Sequence, residues 1–487
     1  DPEPQDSASH PEPARTEGRD DNATEAMRLT IESAASDDFP ELLRSILQGK
    51  HPEDQTSLLT LLLQRWLVED MGSFVVFLNE AELNGLDLWD QLAPGMAEAI
   101  RTVKGQIPDP DLLGKLVERV LIKAAETDPK SALAWAREFL SGDHLDSTLA
   151  AIAPEMAGLD PKAAIELLDE VRAFPKQMQA AAGVGLALGR SDYPLAMTWA
   201  ESFFSETERA FALSGVLSGM ADRDTGRAAK EYSRVVGEMK SRYREQVLAD
   251  RAKSGNTIDE EYEGLSPAEI EKAELAKPNP SLIYLENATR AIALELSRQN
   301  PQEALDWARA MDLYQGKAVA METIYGEWSS IDPQAAFQSL LGESDRRPEV
   351  AGALFETWAM RNATLAADSA LSLKAGPEKD SAIEGVARGW IQSGGKPTQI
   401  AAWAEQLPAD ANVDRVRAVV ASEAAFDNPE LAWKQVERIS NPLKRSELFQ
   451  EVFPNLVEEN PNLARTALAT IKLSPVEIEY FQHMLGP

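Results

Sequence analysis

Asp128-Pro129-Lys130-Ser131-Ala132-Leu133-Ala134-Trp135-Ala136 is the stretch whose reading decides the fold. It returns as LDPKAAIELL (159–168), SDYPLAMTWA (191–200), QNPQEALDWA (299–308), IDPQAAFQSLL (331–341) and KPTQIAAWA (396–404). NPELAW (428–433) and NPNLARTAL (460–468) continue it. The Asp or Asn that opens each copy falls at 128, 160, 192 and 224, then at 300, 332 and 362, then at 428 and 460, with Lys396 in the slot between. The spacing is 32, with one departure to 30 and one to 34. A period this constant marks stacked supersecondary units, each of two short helices and two tight turns.

Each slot has a physical reading. Asp or Asn in the opening position accepts backbone N–H bonds as an N-cap. Pro after it suits the first helical position, where no intrahelical donor is lost. Asn300 with Glu303 predicts a capping box. Four residues on stands Ala132, Ala164, Ala196, Ala228, Ala304, Ala336, Ala366, Ala432 or Ala464. This is the smallest good helix former, and it predicts close approach of neighbouring helices. Seven residues on, Trp135, Leu167, Trp199, Trp307 and Trp403 are expected to supply the bulk of the interface. The second helix of the unit aligns on Trp328, Trp358 and Trp390.

Composition agrees. Ala and Leu dominate and clusters of β-branched or aromatic residues are scarce, so little or no sheet is expected. The formal charge of −32 repels nucleic acid and anionic lipid and favours cationic partners. With no Cys, disulfides, thiol nucleophiles and thiolate metal sites are excluded together. No apolar run is long enough to span a bilayer. The chain opens on Asp1, from which a processed start and a secreted or periplasmic, cell-envelope setting are expected.

Read in order, residues 1–24 form a Pro-rich acidic arm that cannot bury enough apolar surface to order itself. Residues 25–127 read as atypical helical repeats, with Pro94 bending or restarting a helix, and 128–239 as regular ones. The 76 residues from Asp224 to Asn300 exceed two periods by 12. Residues 240–280 are therefore read as an insertion with a long helix and an acidic loop, and its later helix opens on a Ser266–Glu269 capping box. Residues 281–487 are regular repeats closed by a short cap. The expected whole is all-α: an α-solenoid of about thirteen stacked helical hairpins in a right-handed superhelical arc, with curvature breaks near 90–110 and 240–280.

The opening motif resembles the start of a tetratricopeptide repeat. There too an Asp-Pro closes one unit, with Ala and Trp in the next helix, here Asp128, Pro129, Ala132 and Trp135. The period departs from the family's value of about 34. The Gly and Tyr expected after the Trp are absent, with Ala136 and Phe139 in that region. As an array, residues 38–487 look like a tetratricopeptide-like or HEAT-like solenoid. That resemblance implies a scaffold that binds proteins or peptides, a fold-level analogy rather than a site argument.

Chemistry is sparse. His10, His51, His144 and His483 stand apart, with no paired metal spacing. Gly183, Gly185 and Gly189 lie in a helix without a preceding strand, which predicts close packing rather than dinucleotide binding. Lys240, Arg242, Tyr243 and Arg244 reverse the local charge, and Glu238 and Glu245 are placed to pair with them along a helix. The densest acidic run, Asp259, Glu260, Glu261, Tyr262 and Glu263, lacks the ligand order of a calcium loop. Lying in the insertion, it is the candidate partner-binding segment.

The function expected is a non-enzymatic interaction scaffold for a protein or peptide, basic by charge complementarity, with no cofactor. The alternatives are an accessory subunit of a larger envelope or extracellular assembly, and a carboxylate-dependent hydrolase of polysaccharide or peptide.

Overall fold

The computed structural model describes residues 17–49, 52–83, 88–107, 109–254, 266–277, 279–311, 314–344, 346–471, 473 and 475–485. Among them the chain is all-α, with no strand. It divides into two compact units, residues 1–191 and 192–487.

The first unit holds α1 (Glu17–Ser33), α2 (Phe39–Leu47), α3 (Pro52–Glu69), α4 (Met71–Leu83), α5 (Trp89–Val103), α6 (Pro110–Ala125), α7 (Pro129–Phe139), α8 (Gly142–Ala157), α9 (Pro161–Leu168) and α10 (Phe174–Ser191). Helix α1 overlaps the end of the segment read as an arm, and α5 runs through Pro94 without restarting. The longer helices α3, α5, α6, α8 and α10 pack each against the next, and α7 and α9 lie against the long helices that flank them in sequence. Near the start, Trp66 is fully buried among Phe39, Phe74 and Phe77, with ring centroids 4.9 to 5.6 Å away. Its indole N–H donates to Ser73 Oγ at 2.8 Å, so the one polar atom of this large side chain is satisfied.

The second unit begins with α11 (Tyr193–Glu201), α12 (Glu206–Ala221), α13 (Thr225–Ser254), α14 (Pro267–Ala276), α15 (Glu286–Gln299), α16 (Pro301–Arg309), α17 (Tyr314–Ile331) and α18 (Pro333–Gly342). It continues with α19 (Pro348–Leu371), α20 (Pro377–Gln392), α21 (Pro397–Ala404), α22 (Val413–Ala424), α23 (Pro429–Val436), α24 (Pro442–Glu459), α25 (Pro461–Thr470) and α26 (Pro475–Met484). Here α12, α15, α17, α19, α20, α22 and α24 pack in succession. The short helices α16, α18, α21 and α23 each rest on the two long helices on either side in sequence. At the end, Phe481 of α26 is buried, 5.3 Å from Phe449 and 4.9 Å from Phe453.

The opening residue of each repeat does more than cap. Asp332 Oδ1 accepts the Ala335 N–H at 3.0 Å, and Asp128, Asp160, Asp192, Asp224, Asn362, Asn428 and Asn460 accept the equivalent N–H. At the same time the Asp332 N–H donates to the Trp328 carbonyl at 2.8 Å, closing the last turn of the helix before. Its backbone is extended, φ −137° and ψ 85°, and Asn460 (−144°, 80°) and Asn362 (−156°, 88°) match it. One residue therefore ends one helix and starts another, and Asn362 breaks α19 in this way.

Two slots are corrected. At Asn300 the side chain takes the Gln302 and Glu303 N–H groups, but Glu303 Oε1 accepts from Asn300 Nδ2 at 2.9 Å, not from the backbone. The Asn300 N–H is already bonded to the Leu296 carbonyl, so the second half of the expected box has no donor to take. The box at Ser266 forms as read: Ser266 N–H donates to Glu269 Oε2 at 2.8 Å and Glu269 N–H to Ser266 Oγ at 3.4 Å.

The second correction concerns the tryptophans. In slot seven Leu167 and Trp199 are buried as expected, but Trp135, Trp307 and Trp403 are only half-buried. The inner face pairs the slot-four Ala with the residue four further on: Ala136, Leu168, Ala200, Tyr232, Ala308, Leu340, Ala370, Val436 and Leu468, all buried. Residues four apart share one helix face, and position seven lies to its side. The nine slot-four alanines are all at 0% exposure, which is the close approach the small side chain permits. Gly183 extends the theme as expected, because a Cβ there would sit 2.5 Å from Pro154 Cγ. Tightest of all is α19 against α20, where a Cβ on Gly385 or Gly389 would overlap the backbone carbonyls of Gly352 and Glu356.

Charged pairs link residues 33 to 37 apart in the chain, about one repeat period. Arg101 meets Glu138 at 2.8 Å and Arg137 meets Glu170 at 2.5 Å in the first unit. In the second, Arg234 meets Glu201 at 2.7 Å, Arg309 meets Glu343 at 2.5 Å and Arg438 meets Glu405 at 2.5 Å. Most of these groups are two-fifths or more exposed, so each pair contributes about 0–1 kcal/mol. Their consistent placement favours one register between neighbouring units.

Candidate functional site

The acidic run Asp259, Glu260, Glu261, Tyr262 and Glu263 lies outside the described residues, as do His10 and His51. The helices on either side are described. Beyond Met239 no described residue of α13 is buried. The chain is pinned again at Asn279, a buried side chain whose Nδ2 donates to the Met239 carbonyl at 3.1 Å. In the basic stretch Arg242 pairs with Glu238 at 3.7 Å, as the helical spacing predicts, and more closely with Glu206 of α12 at 2.5 Å.

Of the remaining candidates, His144 is held between two carboxylates of α6. Nδ1 lies 2.7 Å from Glu118 Oε2 and Nε2 lies 3.4 Å from Asp111 Oδ1. The Glu118 hydrogen bond raises the imidazole pKa above its ordinary value, with Asp111 adding to it against partial burial. Gly114 makes room, since a Cβ there would stand 2.7 Å from His144 Cδ2. Among the described residues, no three His, Asp or Glu side chains converge as metal ligands would.

The structure adds a site that the repeat analysis did not find. A cavity of about 390 Å³ opens on the faces of three successive long helices. Glu384, Arg388, Ile391 and Gln392 of α20, Ala418, Val419, Ser422 and Glu423 of α22, and Lys444 and Leu448 of α24 line it. Its volume falls in the lower range of ligand-binding clefts. Ile391, Ala418, Val419 and Leu448 make an apolar floor. The rim carries both signs of charge. Glu384 accepts from Arg388 at 2.6 Å and from Arg415 at 2.8 Å, and Lys444 pairs with Glu447 at 3.1 Å. Gln392 donates to Glu356 at 2.7 Å and Ser422 to Glu451 at 3.0 Å, so these polar groups are held by the flanking helices. Glu423 makes no such bond among the described residues and is exposed at the rim. The cavity thus combines an apolar floor with a rim of hydrogen-bonded and ion-paired groups.

The sequence did hold one signal for it. In α22 the core face is Val416, Val420, Ala421 and Ala424. Ala418 and Val419 fall outside that helical series and are half-buried.

No family model matches the chain, and no curated protein matches it. Among the described residues no helix is long and apolar enough to cross a membrane.

Proposed function

We propose that the chain is a helical-repeat solenoid of tetratricopeptide-like organisation that works as a non-enzymatic interaction scaffold, holding a protein or peptide segment in the groove across α20, α22 and α24. The observation that carries this reading is the apolar floor of Ile391, Ala418, Val419 and Leu448 within a rim of both charge signs. Of the three wall helices, α20 is held against α19 by the close glycine contact, so little ordering cost falls on that wall. The test is affinity capture from the source extract by wild type and by Val419→Glu, over a salt series with mass spectrometry. A partner retained by wild type and lost by the variant is expected. Equal retention would remove the groove from the reading, and retention of nothing by either protein would sink a stable partner altogether.

One observation favours a second reading, an accessory subunit of a larger assembly. Helix α13 continues beyond Met239 without burying a described residue, as a contact arm would. Light scattering on natively purified material would then show a complex, whereas a lone monomer would count against it.

A further inference from the structure

The groove across α20, α22 and α24 carries an uneven share of charge. Among the described residues, five carboxylates and three cations stand in its lining or bond directly to it. Each cation already has a carboxylate. Arg388 and Arg415 share Glu384, and Lys444 holds Glu447. Glu356, Glu423 and Glu451 make no ion pair among the described residues.

These three carboxylates are spread across the groove. Glu356 belongs to α19, behind the α20 wall, and accepts from Gln392 at 2.7 Å. Glu451 belongs to α24, the opposite wall, and accepts from Ser422 at 3.0 Å. Glu423 is exposed on α22 between them. Helices α19, α20, α22 and α24 pack in that order, so a carboxylate without a countercharge lies on either side of the apolar floor. The amide of Gln392 and the hydroxyl of Ser422 orient these two groups without neutralising them. The Glu356 side has a further acid. Glu322 of α17 is half-buried and makes no ion pair or hydrogen bond among the described residues. Burial raises its pKa above the ordinary value, Arg290 opposes this, and Glu286, Glu349 and Glu356 add to it. A cation brought to this side relieves repulsion that is already present.

We infer that the segment held by the groove is basic, with an apolar anchor between two cations. The anchor side chain fills the floor of Ile391, Ala418, Val419 and Leu448. A Lys or Arg on one side of it meets Glu356, and one on the other side meets Glu451, with Glu423 between. Packed helices lie about 8–10 Å apart, and an extended segment advances about 3.3 Å per residue. Each cation therefore stands about two to four residues from the anchor. This rests on the groove being the binding site and adds the charge pattern of what it binds, the kind of complementarity that selects one partner over others.

The test is fluorescence anisotropy of short fluorescein-labelled peptides with the full chain, at about 150 mM salt. Three peptides carry a central Leu among Gly and Ser, flanked on both sides by Lys, by Glu or by no charge. A fourth keeps the Lys and replaces the Leu by Ser. The Lys–Leu peptide is expected to bind at least about tenfold more tightly than the uncharged one, with the Glu peptide weakest. Glu356→Gln and Glu451→Gln should each weaken the Lys–Leu peptide about threefold and leave the uncharged one unchanged. Val419→Glu should abolish binding, although its added negative charge favours a basic peptide bound anywhere else. If the uncharged or Glu peptide binds as tightly as the Lys–Leu peptide, or neither Gln variant weakens it, while Val419→Glu still abolishes binding, the charge pattern is wrong and the groove stands. If the peptide binds equally well without its Leu, or Val419→Glu leaves it unaffected, it sits elsewhere on the acidic surface and the inference falls. Failure of every peptide to bind overturns the inference as well, and leaves the groove itself to the capture experiment.

Discussion

At the scale of the residue, the repeat is governed by its small side chains more than by its large ones. Tryptophan draws attention in a sequence because it is rare and bulky. Yet Trp307 is half-buried and meets Tyr232 edge-on at 5.7 Å, while Ala304 and Ala308 beside it are fully buried. Enlarging a buried alanine therefore does more damage than truncating the tryptophan. Ala304→Leu forces extra carbon atoms between packed helices and is expected to cost about 3 kcal/mol or more. Trp307→Ala leaves a void open to water and is expected to cost about 2 kcal/mol, below the range of a fully buried aromatic. Urea unfolding of both variants decides the order, and a larger loss for Trp307→Ala would show that position seven is the true interface. The alanine at slot four was legible in the sequence because it stands in nine of the ten copies, with Ile400 in the other. Its partner four residues on was not, because Ala, Leu, Val and Tyr all occupy that slot and only geometry shows that they share a face.

At the scale of the element, helix type and the ends of the repeat helices could be read from the chain, because Asp-Pro and Asn-Pro state both the cap and the first helical position. Which helix packs on which could not. That depends on residues such as Gly389, whose role appears only beside the Glu356 carbonyl. The groove across α20, α22 and α24 was hidden for the same reason. Its residues come from three helices, and no one of them carries a motif. The contact of α6 with α8 adds a pH dependence. The folded-state pKa of His144 is raised above its ordinary value of 6.5, chiefly by Glu118. A raised pKa in the folded state means stabilisation that is complete below the unfolded value and lost as pH rises through the folded one. His144→Gln should therefore lower the melting temperature more at about pH 5.5 than at about pH 8. An equal or larger loss at the higher pH would mean that the clasp by Glu118 and Asp111 stabilises nothing.

At the scale of the whole molecule, two electrostatic effects oppose each other. The ladder of Arg–Glu pairs is weakened by salt, but each exposed pair contributes at most about 1 kcal/mol. The net charge of −32 repels itself across the whole surface, and salt relieves that as well. The second effect is larger, so the melting temperature should rise as sodium chloride goes from about 10 mM to about 150 mM. A fall would mean that the ladder outweighs the net charge. The junction at Asp332, Asn362 and Asn460 has a further consequence, for descent rather than for folding. Where a single residue separates two helices, gaining or losing one there swings the following helix by about 100° and turns its apolar stripe away from its neighbours. The turn at the other end of each short helix carries no such constraint, and it ranges from a two-residue link after α7 to the longer link between α21 and α22. Length changes among descendants of this chain should therefore collect on one edge of the repeats, and the Asp-Pro edge should keep its count.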